Sequence, residues 1–219
     1  MTEDLEALKR AAAVAAATLV QDGMTVGLGT GSTVRHLVPA IAALGRRDVR
    51  YVATSPATAE QARALGLAVE PFDTLTRLDL AIDGADQVDP AGWLIKGGGG
   101  AHVREKIVAA AADRFVVIAD TTKVVEALLA PVPLELLRFG LAATLAGLGS
   151  AILRAGAPPS PDGNVIADYT GDVGPDPAGL AARLSATPGV LDHGLFPPSM
   201  VAEVFIGTPD GGVLRRIVS

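Results

Sequence analysis

The segment Met24-Thr25-Val26-Gly27-Leu28-Gly29-Thr30-Gly31-Ser32-Thr33 decides the fold. Its first half is a short apolar run and reads as a buried strand. Its second half is glycine and hydroxyl residues, and it opens the apolar-periodic stretch Thr33 to Leu44, which reads as a helix. Outward from there the same alternation recurs. Val49 to Ala53, Leu78 to Ile82, Gly92 to Ile95 and Phe115 to Ile118 read as strands. Asp4 to Gln21, Thr58 to Leu65, Ala101 to Ala112 and Val124 to Leu129 read as helices. Strand–helix alternation predicts an α/β fold with a parallel sheet covered on both faces. Ligands of such sheets sit beyond the carboxyl ends of the strands. Five polar clusters fall at that edge: Gly29 to Thr33, Thr54 to Thr58, Asp83 to Asp86, Lys96 to Gly100, and Asp120 to Lys123.

After Pro131 the texture changes. Prolines at 131, 133, 158, 159, 161, 175, 177, 188, 197 and 198 punctuate short pieces. Leu141 to Ala155 and Ala178 to Ala186 read as helices, Asn164 to Tyr169 and Val201 to Ile206 as strands. A smaller α+β domain is expected over 131–198, with the last strands returning to a first domain of 1–130 plus 199–219. Hydrophobic residues make up 49% of the 219, enough for a large core, yet aromatics are only 4%, so Ala, Val and Leu must build it. Cysteine is absent, which removes disulfides, thiolate nucleophiles and zinc-thiolate sites. The acidic start, Met1 to Glu6, lacks the basic region of a signal peptide, and the run Ala11 to Val20 is too short to span a bilayer. A cytoplasmic protein without membrane contact is expected. A net charge of −6 argues against a nucleic-acid partner.

The chemistry concentrates in two places. Gly29-Thr30-Gly31-Ser32-Thr33 reads as a phosphate cradle, since glycines admit an anion to the backbone and the following helix offers free N–H groups and partial positive charge, or equally as a glycine-rich strand–helix turn with Ser or Thr as N-cap. No lysine follows as a Walker loop requires, and a dinucleotide fingerprint would need glycine at 32 and an acid ending the second strand, where Thr54-Ser55 stand. The second place is Asp83-Gly84-Ala85-Asp86 with Lys96, Gly97 to Gly100 and Glu105. Charged groups at the ends of buried strands are costly unless something binds there. Glu105 can act as a general base, Lys96 and the glycine amides can stabilise an oxyanion, and Asp83 and Asp86 are further acids at the same edge. His36 reads as a helix residue and His193 as a turn. His102 shares a helix face with Glu105 and is a weaker candidate base. Three histidines so scattered suggest no metal site, and Lys96 would compete with Mg²⁺ for Asp83 and Asp86.

These pieces, in order, resemble the type A ribose-5-phosphate isomerase family. The resemblance is carried by Gly29 to Thr33, Thr54-Ser55 with Thr58, Asp83 to Asp86, Lys96 to Gly100 with Arg104-Glu105-Lys106, and Asp120 with Lys123. It continues through Pro133-Leu134-Glu135, Asp162-Gly163-Asn164, Pro188-Gly189-Val190 and Gly194-Leu195-Phe196. The Asp83–Glu105 block is its specific part. Gln87, Thr122 and Arg138 depart from the residues usual in the family, and none removes a group that the mechanism needs. The resemblance implies a Rossmann-like domain with a smaller α+β domain. It also implies interconversion of ribose 5-phosphate and ribulose 5-phosphate in the non-oxidative pentose phosphate pathway, without cofactor or metal. Glu105 then matches the catalytic base, with Asp83, Asp86 and Lys96 as active-site partners. Ser32, Thr33 and Lys123 match phosphate-side contacts, and Gly29, Thr30, Gly31, Ser55 and Gly97 to Gly100 complete the substrate set. A homodimer or homotetramer is implied. The rival is a non-catalytic sugar-phosphate sensor, for which an attached helix-turn-helix and loss of the carboxylates are expected; the segment ahead of the first strand is short, and the carboxylates are present.

Overall fold

The computed structural model describes residues 2–218. In chain order its first half comprises α1 (Thr2–Ala17), β1 (Thr25–Leu28), α2 (Val34–Ala43), β2 (Arg50–Ala53), α3 (Pro56–Ala64), β3 (Leu80–Gly84), β4 (Gln87–Val88), β5 (Leu94–Ile95), α4 (His102–Ala111) and β6 (Phe115–Asp120). A short 3-10 turn, Thr121–Lys123, follows. Then come β7 (Val132–Leu136), α5 (Leu141–Leu148), β8 (Ala151–Leu153), β9 (Val165–Tyr169), α6 (Pro177–Ser185), β10 (Val190–His193), β11 (Leu195–Phe196), β12 (Glu203–Gly207) and β13 (Val213–Ile217).

The main sheet has the order β13-β12-β6-β3-β1-β2. Its pairings are parallel except for β13 on β12. Alternate side chains serve opposite faces, as the two-residue period of a strand requires. Leu80, Ile82, Val116 and Ile118 pack with Ala12, Ala13, Ala16, Leu37, Val38 and Ile41 of α1 and α2. Ala81, Phe115 and Val117 pack on the other face with Val108 and Ala109 of α4. The expected parallel sheet with helices on both faces is therefore present. Alanines let α1 lie close to the sheet, which is how a core poor in aromatics fills its space.

A second, antiparallel sheet has the order β10-β7-β9-β8, backed by Leu148 of α5 and Leu180 and Leu184 of α6. Between the two sheets lies a three-stranded ribbon, β11-β5-β4.

Three readings of the sequence need correction. The expected helix Val124–Leu129 is not formed: Val124 bridges Val88, and the Val125 amide donates to the Val88 carbonyl at 3.0 Å, a pairing that suits β-branched residues. The expected helix Leu141–Ala155 stops at Leu148, where Gly149 takes φ 71° and closes the last turn; Ala151 to Leu153 then form a strand. Pro133, read as a break, lies inside β7. The neighbouring β10 pairs only as far as Leu134, so on that side the proline nitrogen faces no ladder position.

Candidate active site

β1 and β3 end side by side, and their loops build the site together. Gly29 closes β1 directly against Asp83 at the end of β3: a Cβ at position 29 would overlap the Asp83 carboxylate. Asp83 Oδ1 accepts from the Thr30 amide at 3.0 Å and the Gly84 amide at 2.7 Å. Lys96 follows β5 and is fully enclosed. Its Nζ donates to the Gly84 carbonyl at 2.5 Å and lies 2.9 Å from Asp83 Oδ2 and 3.2 Å from Glu105 Oε2. Its best-aligned hydrogen bond is to the carbonyl. The two carboxylates are reached as ion pairs, so Asp83 Oδ2 and Glu105 Oε2 keep buried acceptor positions without an aligned donor among the described residues. Phe196 places its ring centroid 5.5 Å from the ammonium.

Glu105 rides on α4, and its two neighbours fix that helix. Arg104 makes a two-pronged contact to Asp162, at 2.7 and 2.8 Å. Lys106 donates to Asp192 at 2.5 Å and to the His193 carbonyl at 2.6 Å. The Asp162 loop is braced in turn by Glu135, which accepts from Ser160 and Asn164 at 2.6 and 2.8 Å.

Burial governs the titration of this cluster. It pushes Glu105 up from 4.5 to about 8, against the opposing pull of Lys96, and the charge of Asp83 adds to the rise. It raises Asp83 as well. For Lys96, burial alone would favour the neutral amine, but the charges of Asp83 and Glu105 outweigh it and hold the ammonium protonated. One ammonium thus serves two buried carboxylates, an arrangement costly in stability and typical of sites that bind and react.

The glycine-rich segments complete a narrow cleft lined by Thr30 to Thr33, Gly84 to Asp86, Lys96 to Gly99, Glu105 and Lys123. Asp86 Oδ2 accepts from the Gly98 amide at 2.7 Å. The amides of Gly31, Ser32 and Thr33, ahead of α2, donate to no protein acceptor among the described residues, which leaves an anion-binding helix start. Lys123, on the 3-10 turn after β6, faces the same cleft and has no ion-pair partner among the described residues. The structure therefore brings together Thr30, Gly31, Ser32, Thr33, Asp86, Lys96, Gly97, Gly98, Gly99, Glu105 and Lys123, with Asp83 directly behind Lys96. Gly29 and Gly100 stand outside the lining. So does Ser55, whose hydroxyl caps α3 by accepting from the Thr58 amide at 3.2 Å. Thr58 in turn donates to the Gly29 carbonyl at 2.9 Å, and Thr30 meets Thr54 at 2.7 Å, so this hydroxyl chain braces the Gly29–Thr33 loop.

His102 is wholly buried and does not line the cleft; burial pushes it down to about 4, and both ring nitrogens lack a hydrogen-bond partner among the described residues. A larger cleft of about 700 Å³ lies beyond the other flank of α4, lined by Arg63, Phe72, Arg104 and Ile107 among others. It is lined by the buried Glu135 and the Arg104–Asp162 pair, but among the described residues no lysine held between two buried carboxylates faces it, so size does not select it over the narrow cleft. Arg154 is a further residue at the site that the sequence hid: it reads as part of a helix, yet from the end of β8 it reaches the carbonyls of the glycine loop.

A parallel sheet whose carboxyl edge carries a phosphate-type helix start and a buried acid–lysine–acid cluster defines an α/β protein built for proton transfer on a small anionic ligand. Within that class, the chain belongs to the ribose 5-phosphate isomerase A (phosphoriboisomerase A) family, whose model matches residues 50–211. It is 44% identical over 220 residues to ribose-5-phosphate isomerase A of Caulobacter vibrioides, covering 94% of this chain and 96% of that one. Among solved structures, ribose 5-phosphate isomerase A from Neisseria gonorrhoeae superposes with a TM-score of 0.92 at 32% identity, covering 98% of each chain. A D-ribose-5-phosphate isomerase in complex with phospho-erythronic acid superposes with a TM-score of 0.89 at 32% identity, over 95% of this chain and 97% of that one.

Proposed function

We propose that this protein interconverts D-ribose 5-phosphate and D-ribulose 5-phosphate, with Glu105 as the proton carrier. The observation that carries the reading is the Lys96 ammonium held between Asp83 and Glu105 at the mouth of a phosphate-type loop. In the open-chain aldose, the Glu105 carboxylate takes the proton from C2. The electron pair of that C–H bond forms C1=C2, and O1 becomes an alkoxide. Lys96 and the glycine-loop amides stabilise this enediolate. O1 then takes a proton and O2 gives one up, with Asp83 or Asp86 handling the hydroxyl protons. Glu105 returns its proton to C1, and the carbonyl stands at C2. The phosphate lies on Gly31 to Thr33 and Lys123 in this reading, far enough from the carbons to position them without joining the chemistry.

No cofactor or metal is required. Lys96 supplies the positive charge that a divalent cation would bring, and its position between the carboxylates repels one. A sensor would need only the phosphate cradle and would gain nothing from two carboxylates buried against a lysine. The same reading takes 1–130 plus 199–219 as the catalytic domain and 131–198 as the smaller one. It also places the protein in the cytoplasm as a homodimer or homotetramer, without a nucleic-acid partner. The net charge of −6 supports the last point. Among the described residues no helix is long and apolar enough to cross a membrane. Light scattering against the chain mass of 22.2 kDa tests the oligomer. Purified protein with ribose 5-phosphate and EDTA should form the ketopentose phosphate. A folded sample that forms none would sink the proposal, and dependence on added Mg²⁺ or Mn²⁺ would sink its metal-free mechanism.

A further inference from the structure

Arg154 stands at the end of β8 in the second sheet, yet its guanidinium reaches the glycine loop that follows β5. Nη1 donates to the Gly97 carbonyl and to the Gly98 carbonyl, at 3.0 Å each. The remaining edge is locked on Asp168 of β9, with Nε and Nη2 at 2.9 and 2.6 Å from its two oxygens. Such a two-pronged pair fixes the plane of the guanidinium as well as its position. In a trans peptide the C=O and the next N–H point in opposite directions. Holding the Gly97 carbonyl on Arg154 therefore turns the Gly98 N–H the other way, and it meets Asp86 at 2.7 Å. Holding the Gly98 carbonyl turns the Gly99 N–H away from Arg154. That amide has no protein acceptor among the described residues, and Gly99 lines the cleft with Lys96 and Glu105.

We infer that Arg154 is a positioning residue for the isomerisation: through the two glycine carbonyls it aims the Gly99 amide at the developing oxyanion and holds Gly98 on Asp86. A run of four glycines has many accessible backbone conformations. An oxyanion donor works only if it is already aimed when the charge develops. The Gly97 carbonyl also closes a turn by accepting from the Gly100 amide at 3.0 Å. The Gly98 carbonyl has Arg154 as its only donor among the described residues, and Asp168 restrains Arg154. The inference rests on the isomerase reading and adds to it a residue that does not touch the substrate.

The test compares the parent protein with Arg154→Met, Arg154→Lys and Arg154→Ala. Activity of the parent on ribose 5-phosphate is measured first; an inactive parent would defeat the isomerase reading itself, before the role of Arg154 is reached. With an active parent, Arg154→Met should lower kcat by about tenfold to a hundredfold, less than deletion of an oxyanion donor costs, with KM changed far less. Phospho-erythronic acid, whose carboxylate puts negative charge where the enediolate forms, should lose more affinity than inorganic phosphate does. Added guanidinium should restore part of the turnover of Arg154→Ala, a response that a packing defect would not give. Arg154→Lys keeps the charge but cannot span both carbonyls and Asp168 together, so it should also lose turnover, and it carries the test if the methionine variant fails to fold. Near-parental kcat in Arg154→Met or Arg154→Lys would overturn the inference. Equal losses of affinity for phosphate and phospho-erythronic acid would overturn it too.

Discussion

Replacing Glu105 with glutamine keeps the size of the side chain and removes the proposed base. Turnover should fall by about 10²–10⁴-fold, the usual contribution of a positioned general base. Exchange of the substrate's transferable carbon-bound hydrogen with solvent deuterium, followed by NMR, should vanish with it. His102 lies one turn earlier, but its ring is wholly buried outside the cleft lining. His102→Ala should therefore lower the melting temperature while leaving turnover and exchange within a few-fold. An active Glu105→Gln enzyme beside an inactive His102→Ala enzyme would reverse the assignment. The acidity of Glu105 gives a second handle. Only the deprotonated carboxylate can take the C2 proton, and burial raises its pKa in the free protein from 4.5 to about 8. The profile of kcat/KM should thus climb with pH and level off above about 8. The stability sign follows from the same shift. A carboxyl with a raised folded pKa adds stability that is fully present below 4.5 and lost as pH rises through about 8. Glu105→Gln should consequently gain in melting temperature over the parent on the alkaline side, by differential scanning calorimetry at several pH values. A pH-independent kcat/KM across this window would place the base elsewhere.

Helix starts divide the proposed substrate contacts from the scaffold. α2 begins at the Gly29–Thr33 loop with open amides, whereas α3 begins with Ser55 as its own cap. Ser55→Ala should cost about 0.5–2 kcal/mol in denaturant unfolding, the range for a lost N-cap, with KM nearly unchanged. Lys123→Ala should do the opposite. A charge-assisted phosphate contact is worth roughly 1.5–3 kcal/mol, so KM for ribose 5-phosphate should rise about tenfold or more while stability stays level. A large KM change in Ser55→Ala would return that hydroxyl to the substrate. The pair also marks what a sequence reveals at this scale. Thr54-Ser55 was legible as a loop at a strand end, because Val49 to Ala53 reads as a strand and Thr58 to Leu65 as a helix. Whether its hydroxyl faces the ligand or caps the next helix depends on a side-chain rotation that residue order does not encode. Arg154 was hidden for a related reason. Ala-Ile-Leu-Arg suits a helix or a strand, and Gly149 turning left-handed decides for the strand that brings Arg154 to the glycine loop.

At the scale of the whole molecule, the main sheet was readable because its parallel strands are short, mostly apolar runs, several of them ending in a polar loop. The second sheet was less so: β7 passes through Pro133, β8 has three residues, and its partners are distant in sequence. The contact between the two sheets, invisible to local pattern, is where Lys96 is held. Gly194 sits between β10 and β11. Its carbonyl accepts from the Lys96 amide at 2.9 Å, and its own amide donates to the Pro133 carbonyl at 2.7 Å. One residue thus ties the strand carrying Lys96 to the antiparallel sheet. A Cβ there would collide with the Lys96 carbonyl and stand 2.9 Å from Pro133 Cδ. The obstruction on one side is main chain, so it cannot be relieved by a side-chain rotation. Gly194→Ala should cost about 1–3 kcal/mol of stability, as overpacking of a tight contact does. Turnover should also fall at temperatures well below the melting transition, because the displaced strand carries the ammonium away from Asp83 and Glu105. Measuring the melting temperature and kcat on one preparation separates the two effects. A variant that melts earlier yet turns over normally in the cold would show that the sheet contact supports the fold without setting the position of Lys96.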